Sequence, residues 1–295
     1  MTIKMTHNNI NNIEKGKTYL VTGGSGFLGR CLIKRILKAG GNVKTIARDE
    51  GKLISLKQEH PEVEIITGDI ADPFDMKNAL KDINAIFHLA AFKHVGIAED
   101  QPRECIKSNL IGSLNLLELT ANMDLDYIMM VSTDKTAIVS GVYGASKFLM
   151  ERLTHQFENN YPNHTYRTVR YGNVLYSTGS VLCKWKDLLE ANKEIIITEP
   201  EATRFYWTVD QAVDLIFDCL ANATDSQPFV PEMKSIRMGD LLTAMAEKYL
   251  PKGGTLKVKQ IGMQPGENLH EKVLSDGISS GEADKFTIEE IKKMI

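Results

Sequence analysis

The sequence lacks any unbroken apolar stretch of the roughly 18 residues that a membrane-spanning helix needs. Its opening residues, MTIKMTHNNINNIEKGK, lack the apolar centre of a secretory signal. There is no excess of positive charge. Lys and Arg number 35 against 38 Asp and Glu, a net charge of −3, so bulk charge holds no nucleic acid. Cysteine is sparse: Cys31, Cys105, Cys183 and Cys219 lie far apart, with no C-x-x-C pair and no Cys/His cluster at zinc-ligand spacing. A disulfide scaffold and a metal site are therefore not expected. The expectation is a cytoplasmic protein with reduced thiols and no membrane or nucleic-acid partner.

What remains is an ordinary globular composition, 43% hydrophobic and 25% charged, with 295 residues to fill about two domains. Residues 1–15 are rich in Asn and read as a flexible leader. From Lys17 the pattern becomes regular. Apolar runs at 18–22, 42–47, 63–67, 85–89, 127–132 and 165–170 read as strands, and periodic segments at 27–39, 52–59, 102–122 and 141–159 read as helices. Short connections between alternating strands and helices predict an α/β fold, a doubly wound parallel sheet of Rossmann type over 16–175. Residues 176–295 are less regular. Helices are expected at 180–192, 208–222, 238–249 and 287–294, with short strands at 194–198, 228–230 and 256–261. This part is expected to form mainly a smaller, mixed substrate-binding cap, some of its segments returning to the Rossmann domain.

Between the first strand and helix stands Thr22-Gly-Gly-Ser-Gly-Phe-Leu-Gly29, with Gly23, Gly26 and Gly29 spaced by three. In that context the glycines are a dinucleotide signature. Gly23 permits the turn, Gly26 admits a pyrophosphate to the backbone, and Gly29 lets the helix pack closely. The helix N-terminus then faces the phosphates. At the tip of the second strand, Arg48 and Lys52 suit the 2′-phosphate of NADP, while Asp49 keeps NAD possible. After the third strand, Asp69 is placed to meet the adenine amino group.

Tyr143 and Lys147 lie four apart, on one face of a helix. A nearby ammonium lowers a phenol's pKa and makes the phenolate a usable base. Thr133, at the end of the fifth strand, is placed to share the substrate's alcohol proton. Alcohol oxidation needs no more than these three. Asp134 and Lys135 add a second acid/base pair, which suits β-elimination of water next to a newly formed ketone.

With these residues in view, the chain resembles the extended short-chain dehydrogenase/reductases. More narrowly, it is similar to the soluble UDP-N-acetylglucosamine 4,6-dehydratases of the inverting type, which open pseudaminic acid synthesis. The resemblance runs from about residue 17 to 275. It is carried by Thr22–Gly29, Ala47–Glu50, His88-Leu-Ala-Ala91, Lys93-His-Val95, Glu104–Asn109, Ser132–Lys135, Tyr143–Lys147, Arg170–Val174, Gly179-Ser180, Thr203-Arg-Phe205, Phe229-Val-Pro231, Pro265–Glu267 and Leu269-His-Glu271. It implies that Tyr143, helped by Thr133 and Lys147, deprotonates the sugar 4-hydroxyl as hydride leaves C4. Lys135 then removes the C5 proton, Asp134 protonates the departing 6-hydroxyl, and hydride returns to C6. It further implies cofactor contacts from Gly23, Ser25, Gly26, Phe27, Leu28, Arg48, Lys52, Asp69, Ile70, Ala90, Ala91, Lys93, Tyr143 and Lys147. Substrate contacts are implied for Lys93, Thr133, Asn173, Ser180, Val181, Thr203, Arg204 and Glu267. A homo-oligomer is implied as well.

The chain departs from the family's Arg-Pro-Gly-Glu-Lys-Leu-His-Glu run, reading Gln264 and Asn268 where cations are usual. Three outcomes stay open at this level: the 4,6-dehydratase; a 4-epimerase or 5,6-dehydratase sharing its opening chemistry; and a nucleotide-sensing protein that binds NADP without turnover. The Asp134–Lys135 pair argues against simple epimerisation, and the intact Thr133/Tyr143/Lys147 set argues against a sensor.

Overall fold

A computed structural model of the protein describes residues 12–264 and 266–295. The chain begins with β1 (Thr18–Thr22), α1 (Phe27–Lys38), β2 (Asn42–Ala47), α2 (Glu50–Glu59), β3 (Glu64–Thr67), α3 (Pro73–Ala79) and β4 (Ala85–His88). There follow α4 (Val95–Asp100), α5 (Pro102–Ile106), a π-helical turn (Lys107–Ile111), α6 (Gly112–Thr120), β5 (Tyr127–Thr133), a 3₁₀ turn (Asp134–Thr136), α7 (Val142–Asn160) and β6 (Tyr166–Tyr171). The remainder is β7 (Asn173–Val174), α8 (Val181–Glu190), β8 (Ile195–Ile197), β9 (Thr203–Trp207), α9 (Val209–Asn222), β10 (Pro228–Phe229), β11 (Ser235–Arg237), α10 (Met238–Tyr249), β12 (Val258–Gln260) and α11 (Ile288–Met294).

The main sheet has seven strands in the order β10-β6-β5-β4-β1-β2-β3, all parallel. The order reverses between β1 and β4, and the crevice beyond the carboxyl ends of those strands is where such sheets take ligands. Both faces are covered, so the strands read as continuous apolar runs whose alternate side chains feed two cores. On one face, Tyr19, Val21, Phe87, Tyr127 and Met129 meet α1 and α9 through Ile33, Ile36, Val213 and Phe217. On the other, Leu20, Ile86, Ile128 and Met130 meet α3, α6 and α7 through Met76, Leu116 and Met150.

The cap has its own core, in which Leu182, Trp185 and Leu189 of α8 pack with Tyr206, Ile236, Leu241, Met245 and Ile291. Two small sheets support it, β11-β9-β7 and β12-β8. The chain reaches the cap after β6, returns to the main sheet for α9 and β10, and then goes back for β11 onward. Helix α9 packs on α1, and β10 pairs with β6.

The sequence reading left α3, α4, β7, β9 and β11 unassigned. Helix α3 is short, and Asp72 caps it by accepting from Phe74 N–H, with Pro73 at its first turn. Strand β9 reads Thr-Arg-Phe-Tyr-Trp and is buried on both sides, so no alternation marks it. Residues 1–11 of the expected leader lie outside the described residues. Of the remainder, Ile13 is buried in the main core and Glu14 N–H donates to the Tyr19 hydroxyl at 2.8 Å. No helix among the described residues is long and apolar enough to cross a membrane.

Candidate active site

The glycine turn closes over the end of β4. Gly23 has φ +70°, in the left-handed region, and a Cβ there would stand 2.9 Å from the backbone of Ala90. Gly29 is the tightest of the three, since a Cβ there would lie 2.6 Å from both Gly23 O and Gly24 Cα. Gly26 is looser, its nearest neighbour being Gly23 O at 3.1 Å. Gly26 starts α1 without a side-chain cap, and the first turn holds no acid. Phe27 and Leu28 therefore open a helix whose N–H groups and positive dipole end are suited to an anion. Ser25 is buried in the turn.

Behind the turn, the buried His88 joins Thr22 Oγ1 at 2.9 Å to Ser113 Oγ at 3.0 Å. Burial pulls its pKa down to about 3, so it stays neutral and structural. The Thr22 hydroxyl also accepts from Ala90 N–H. Residues 90–93 are latched by Asn109 in the π-helical turn. Its Oδ1 accepts from Phe92 N–H at 2.6 Å and its Nδ2 donates to Phe92 O at 2.9 Å. Ala90 and Ala91 thus line the crevice on a fixed backbone. Lys93 reaches across to donate to Thr178 O at 2.9 Å, just before α8, and burial lowers its pKa.

At the β2 tip Asp49 is engaged: it caps α2 by accepting from Lys52 N–H and pairs with Lys52 Nζ at 2.9 Å. Arg48 stands exposed beside it. Asp69 accepts from Ala71 N–H and pairs with Lys107 at 2.9 Å, which draws its pKa down against the opposing effect of burial. Ile70 packs against Gly112.

The chemistry-bearing side chains gather where β5 ends. Thr133 Oγ1 donates to Asp134 Oδ1 at 2.9 Å. Lys135 Nζ stands 3.0 Å from Asp134 Oδ2 and 3.0 Å from Glu271 Oε1. Burial, with the negative charge of Glu271, pushes the Asp134 carboxyl up. Lys135 is raised as well, because its two carboxylates outweigh its burial. Tyr143 is pushed up to about 12 by burial, and hydrogen bonding to Thr133 and the charge of Lys135 oppose that rise.

Lys147 Nζ is buried, 3.1 Å from Met150 Sδ, and burial pulls its pKa down to about 8. The positive charge of Lys135 is among the influences that lower the Tyr143 phenol's pKa. Beneath both, Glu151 takes a two-point grip from Arg170, Nε at 2.8 Å and Nη2 at 2.6 Å, and accepts from Ser132 and Thr136 hydroxyls.

The cap closes the other side. A small cavity beside Lys135 and Tyr143 is lined also by Val95, Ser140, Gly141 and Gly266. Arg204 on β9 is buried; its Nη1 donates to Thr203 O at 2.8 Å and Leu269 O at 3.1 Å, and its Nε faces Glu271 at 3.8 Å. Thr203 Oγ1 meets His270 Nδ1 at 2.8 Å and Ser280 Oγ at 2.7 Å. Asn173 hydrogen-bonds the buried Tyr206, whose phenol feels both Asp134 and Lys135. Ser180 starts α8 without capping it through its side chain, and Val181 is the first residue of that helix. Glu267 accepts from Gln264 N–H at 3.2 Å on the rim. Asn268 donates to Ser140 Oγ and Glu271 Oε2.

Glu151, Tyr206 and Glu271 received no role from the sequence. Glu151 follows Lys147 by four on α7 and so shared its face, a signal available but weak. Glu271 lies 136 positions from Lys135, so local spacing carries no trace of their contact.

A family model described as polysaccharide biosynthesis protein matches residues 19–292. An uncharacterized membrane protein of Methanocaldococcus jannaschii is 33% identical over 97% of this chain and 86% of its own length. UDP-N-acetylglucosamine 4,6-dehydratase (inverting) of Campylobacter jejuni is 33% identical over 88% of this chain and 78% of its own. UDP-glucose 4-epimerase of Rickettsia rickettsii is 30% identical over the same shares. Among solved structures, Pen from Bacillus thuringiensis superposes with a TM-score of 0.89 at 24% identity, covering 95% of this chain and 96% of that one, a likeness of fold. The match to most of the chain and the two full-domain relatives agree with the crevice built at β5: the chain belongs to the polysaccharide biosynthesis protein family, within the extended short-chain dehydrogenase/reductases.

Proposed function

We propose that the protein is a UDP-N-acetylglucosamine 4,6-dehydratase, an NADP-dependent hydro-lyase that makes a UDP-4-keto-6-deoxy-hexosamine with inversion at C5. One observation carries this reading: an acid and an amine, Asp134 and Lys135, stand together at the end of β5 beside Tyr143. Alcohol oxidation alone has no use for that pair. The relatives named as inverting dehydratases support the substrate class.

Nicotinamide dinucleotide bound over the glycine turn supplies a reversible hydride acceptor. The uncapped start of α1 suits its diphosphate, and Arg48 suits a 2′-phosphate because Asp49 is already used as a helix cap. Tyr143 and Thr133 are placed to take the 4-hydroxyl proton. Lys147, buried nearby with a low pKa, is suited to hold a ribose hydroxyl and relay a proton. Lys135 takes the C5 proton made acidic by the 4-ketone. Asp134, whose carboxyl is pushed toward its acid form, protonates the leaving 6-hydroxyl. Lys93, Asn173, Ser180, Val181, Thr203, Arg204 and Glu267 frame the substrate side, Arg204 by shaping the wall.

The 4-epimerase reading is favoured by the Rickettsia relatives, and the Asp134–Lys135 pair disfavours it. Proton NMR of the protein with UDP-N-acetylglucosamine in deuterated water decides between them. A C6 methyl signal with deuterium at C5, lost in Asp134→Asn and Lys135→Ala, is the expected result. A galacto-configured product means epimerisation, vinyl signals mean 5,6-dehydration, and no reaction with bound cofactor overturns the substrate.

A further inference from the structure

The Asp134–Lys135 pair is not alone. A third ionisable group, Glu271, reaches it from a cap segment remote in sequence, and the glycine and Tyr/Lys motifs do not require it. Glu271 is 2% exposed, and its position is heavily determined. Its N–H donates to Ser280 Oγ at 2.8 Å, Asn268 Nδ2 donates to its Oε2 at 3.3 Å, and Arg204 Nε faces its Oε1 at 3.8 Å. Ser280 is itself held by Thr203, through its hydroxyl at 2.7 Å and its carbonyl at 3.0 Å. A carboxylate buried this way is costly unless its charge is used.

We propose that Glu271 is a positioning residue for the elimination step, its Oε1 holding Lys135 Nζ against the reacting carbon while the proton on that nitrogen comes and goes. The inference rests on the dehydratase reading of the site. Lys135 has to be an amine before it can act as a base. Asp134 Oδ2, 3.0 Å away, accepts the ammonium proton, leaving a neutral amine beside a neutral acid with the pair's total charge unchanged. The amine lone pair then takes the C5 proton. The C5–H electrons become the C5=C6 bond, the C6–O bond breaks, and the departing oxygen takes the Asp134 proton as water. Lys135 is again ammonium and Asp134 again carboxylate. Throughout this cycle Glu271 remains an acceptor, so Nζ keeps one fixed hydrogen bond whichever group holds the proton.

Around Lys135 the charged and titratable groups are Asp134 on its own turn, Tyr143 on α7, Arg204 and Tyr206 on β9, and Glu271 on the cap segment. Of these only Asp134 and Glu271 favour the ammonium. A negative charge favours the protonated form of a neighbour, so removing the Glu271 charge lowers the pH at which Lys135 loses its proton.

Glu271→Gln keeps size but deletes the charge, leaving only a weaker neutral acceptor for Nζ, and Glu271→Asp keeps the charge. The first readout needs no substrate: acetic anhydride labelling of Lys135 at one mildly alkaline pH, followed by peptide mass spectrometry, with Lys147 as internal control. Labelling of Lys135 at least tenfold faster in Glu271→Gln, with Lys147 unchanged and Glu271→Asp close to wild type, is expected. The second readout is turnover. In Glu271→Gln, kcat falls about tenfold or more with KM little changed, and the alkaline limb of the pH profile moves down by roughly one unit or more. Equal labelling of Lys135, or faster labelling of both lysines alike, overturns the proposal and leaves Glu271 a purely structural group. Failure of the wild type to dehydrate UDP-N-acetylglucosamine overturns the function reading instead, and the labelling still decides whether Glu271 governs Lys135.

Discussion

Arg170 on β6 and Glu151 on α7 form a buried two-point ion pair directly beneath Thr133 and the Asp134–Lys135 turn, with Arg170 Nη1 also donating to Val273 O of the cap at 2.7 Å. One pair thus fixes the end of β5, helix α7 and a cap segment. Removing Glu151 leaves an unpaired buried guanidinium. Glu151→Ala is expected to cost about 3–5 kcal/mol, and Arg170→Met with Glu151→Gln together less than either alone. Urea midpoints of wild type and these four variants check this.

Lys147 gives a pH signature. Its folded pKa of about 8 lies below its ordinary 10.5. Below pH 8 both folded and unfolded chains hold the proton, and the folded state bears the cost of a buried ammonium. Between pH 8 and 10.5 the unfolded chain binds more protons than the folded one, so stability rises with pH as that cost disappears. Lys147→Met is therefore expected to be more stable than wild type at pH 7, by on the order of 2 kcal/mol, with the gap narrowing by pH 10. Thermal melts across this range test it, and a gap independent of pH contradicts it.

The glycines separate by function. An added Cβ at Gly29 strikes three backbone atoms within 2.7 Å, whereas at Gly26 it meets one oxygen at 3.1 Å. Gly29→Ala is expected to lose about 2–3 kcal/mol of folding stability. Gly26→Ala folds near normally and weakens dinucleotide binding, because the lost feature is room for a phosphate. Denaturation and cofactor titration on both variants distinguish the two effects.

On the proposed NADP reading, cofactor choice turns on Arg48. Its loss in Arg48→Ala is expected to weaken NADP binding about 10–100-fold and NAD binding little, as one charge-assisted contact is removed. Calorimetric titration with each dinucleotide measures it. Equal weakening for both would place the 2′-phosphate elsewhere.

The parallel sheet and the glycine turn were legible because each strand of the first half is an apolar run bounded by turn residues, and Gly23 stands at the end of the first. Local spacing also brought Thr133, Asp134, Lys135, Tyr143 and Lys147 into one candidate site, and the structure gathers the first four at the end of β5. The directions of the side chains were not legible. That Lys147 Nζ stands against Met150 Sδ depends on packing from α7 inward. Glu271, Tyr206 and the Glu151–Arg170 pair were illegible for the same reason: each partner arrives from another element. The loss of cations at Gln264 and Asn268 also looks different in the structure. Asn268 helps hold Glu271 through a neutral amide, so the departure reaches the Lys135 turn through Glu271.

The return of α9 and β10 to the main sheet constrains the order in which the molecule can assemble. A nascent chain that has reached residue 175 has made the glycine turn and α7. It still has a bare edge on β6 and no Phe217 to close the ring cluster around Phe87. Those parts leave the ribosome only after the first cap elements, α8, β8 and β9. The sheet therefore waits for cap sequence before its last edge is sealed, and a truncated product ending near residue 175 exposes a strand edge and an apolar face ready to aggregate.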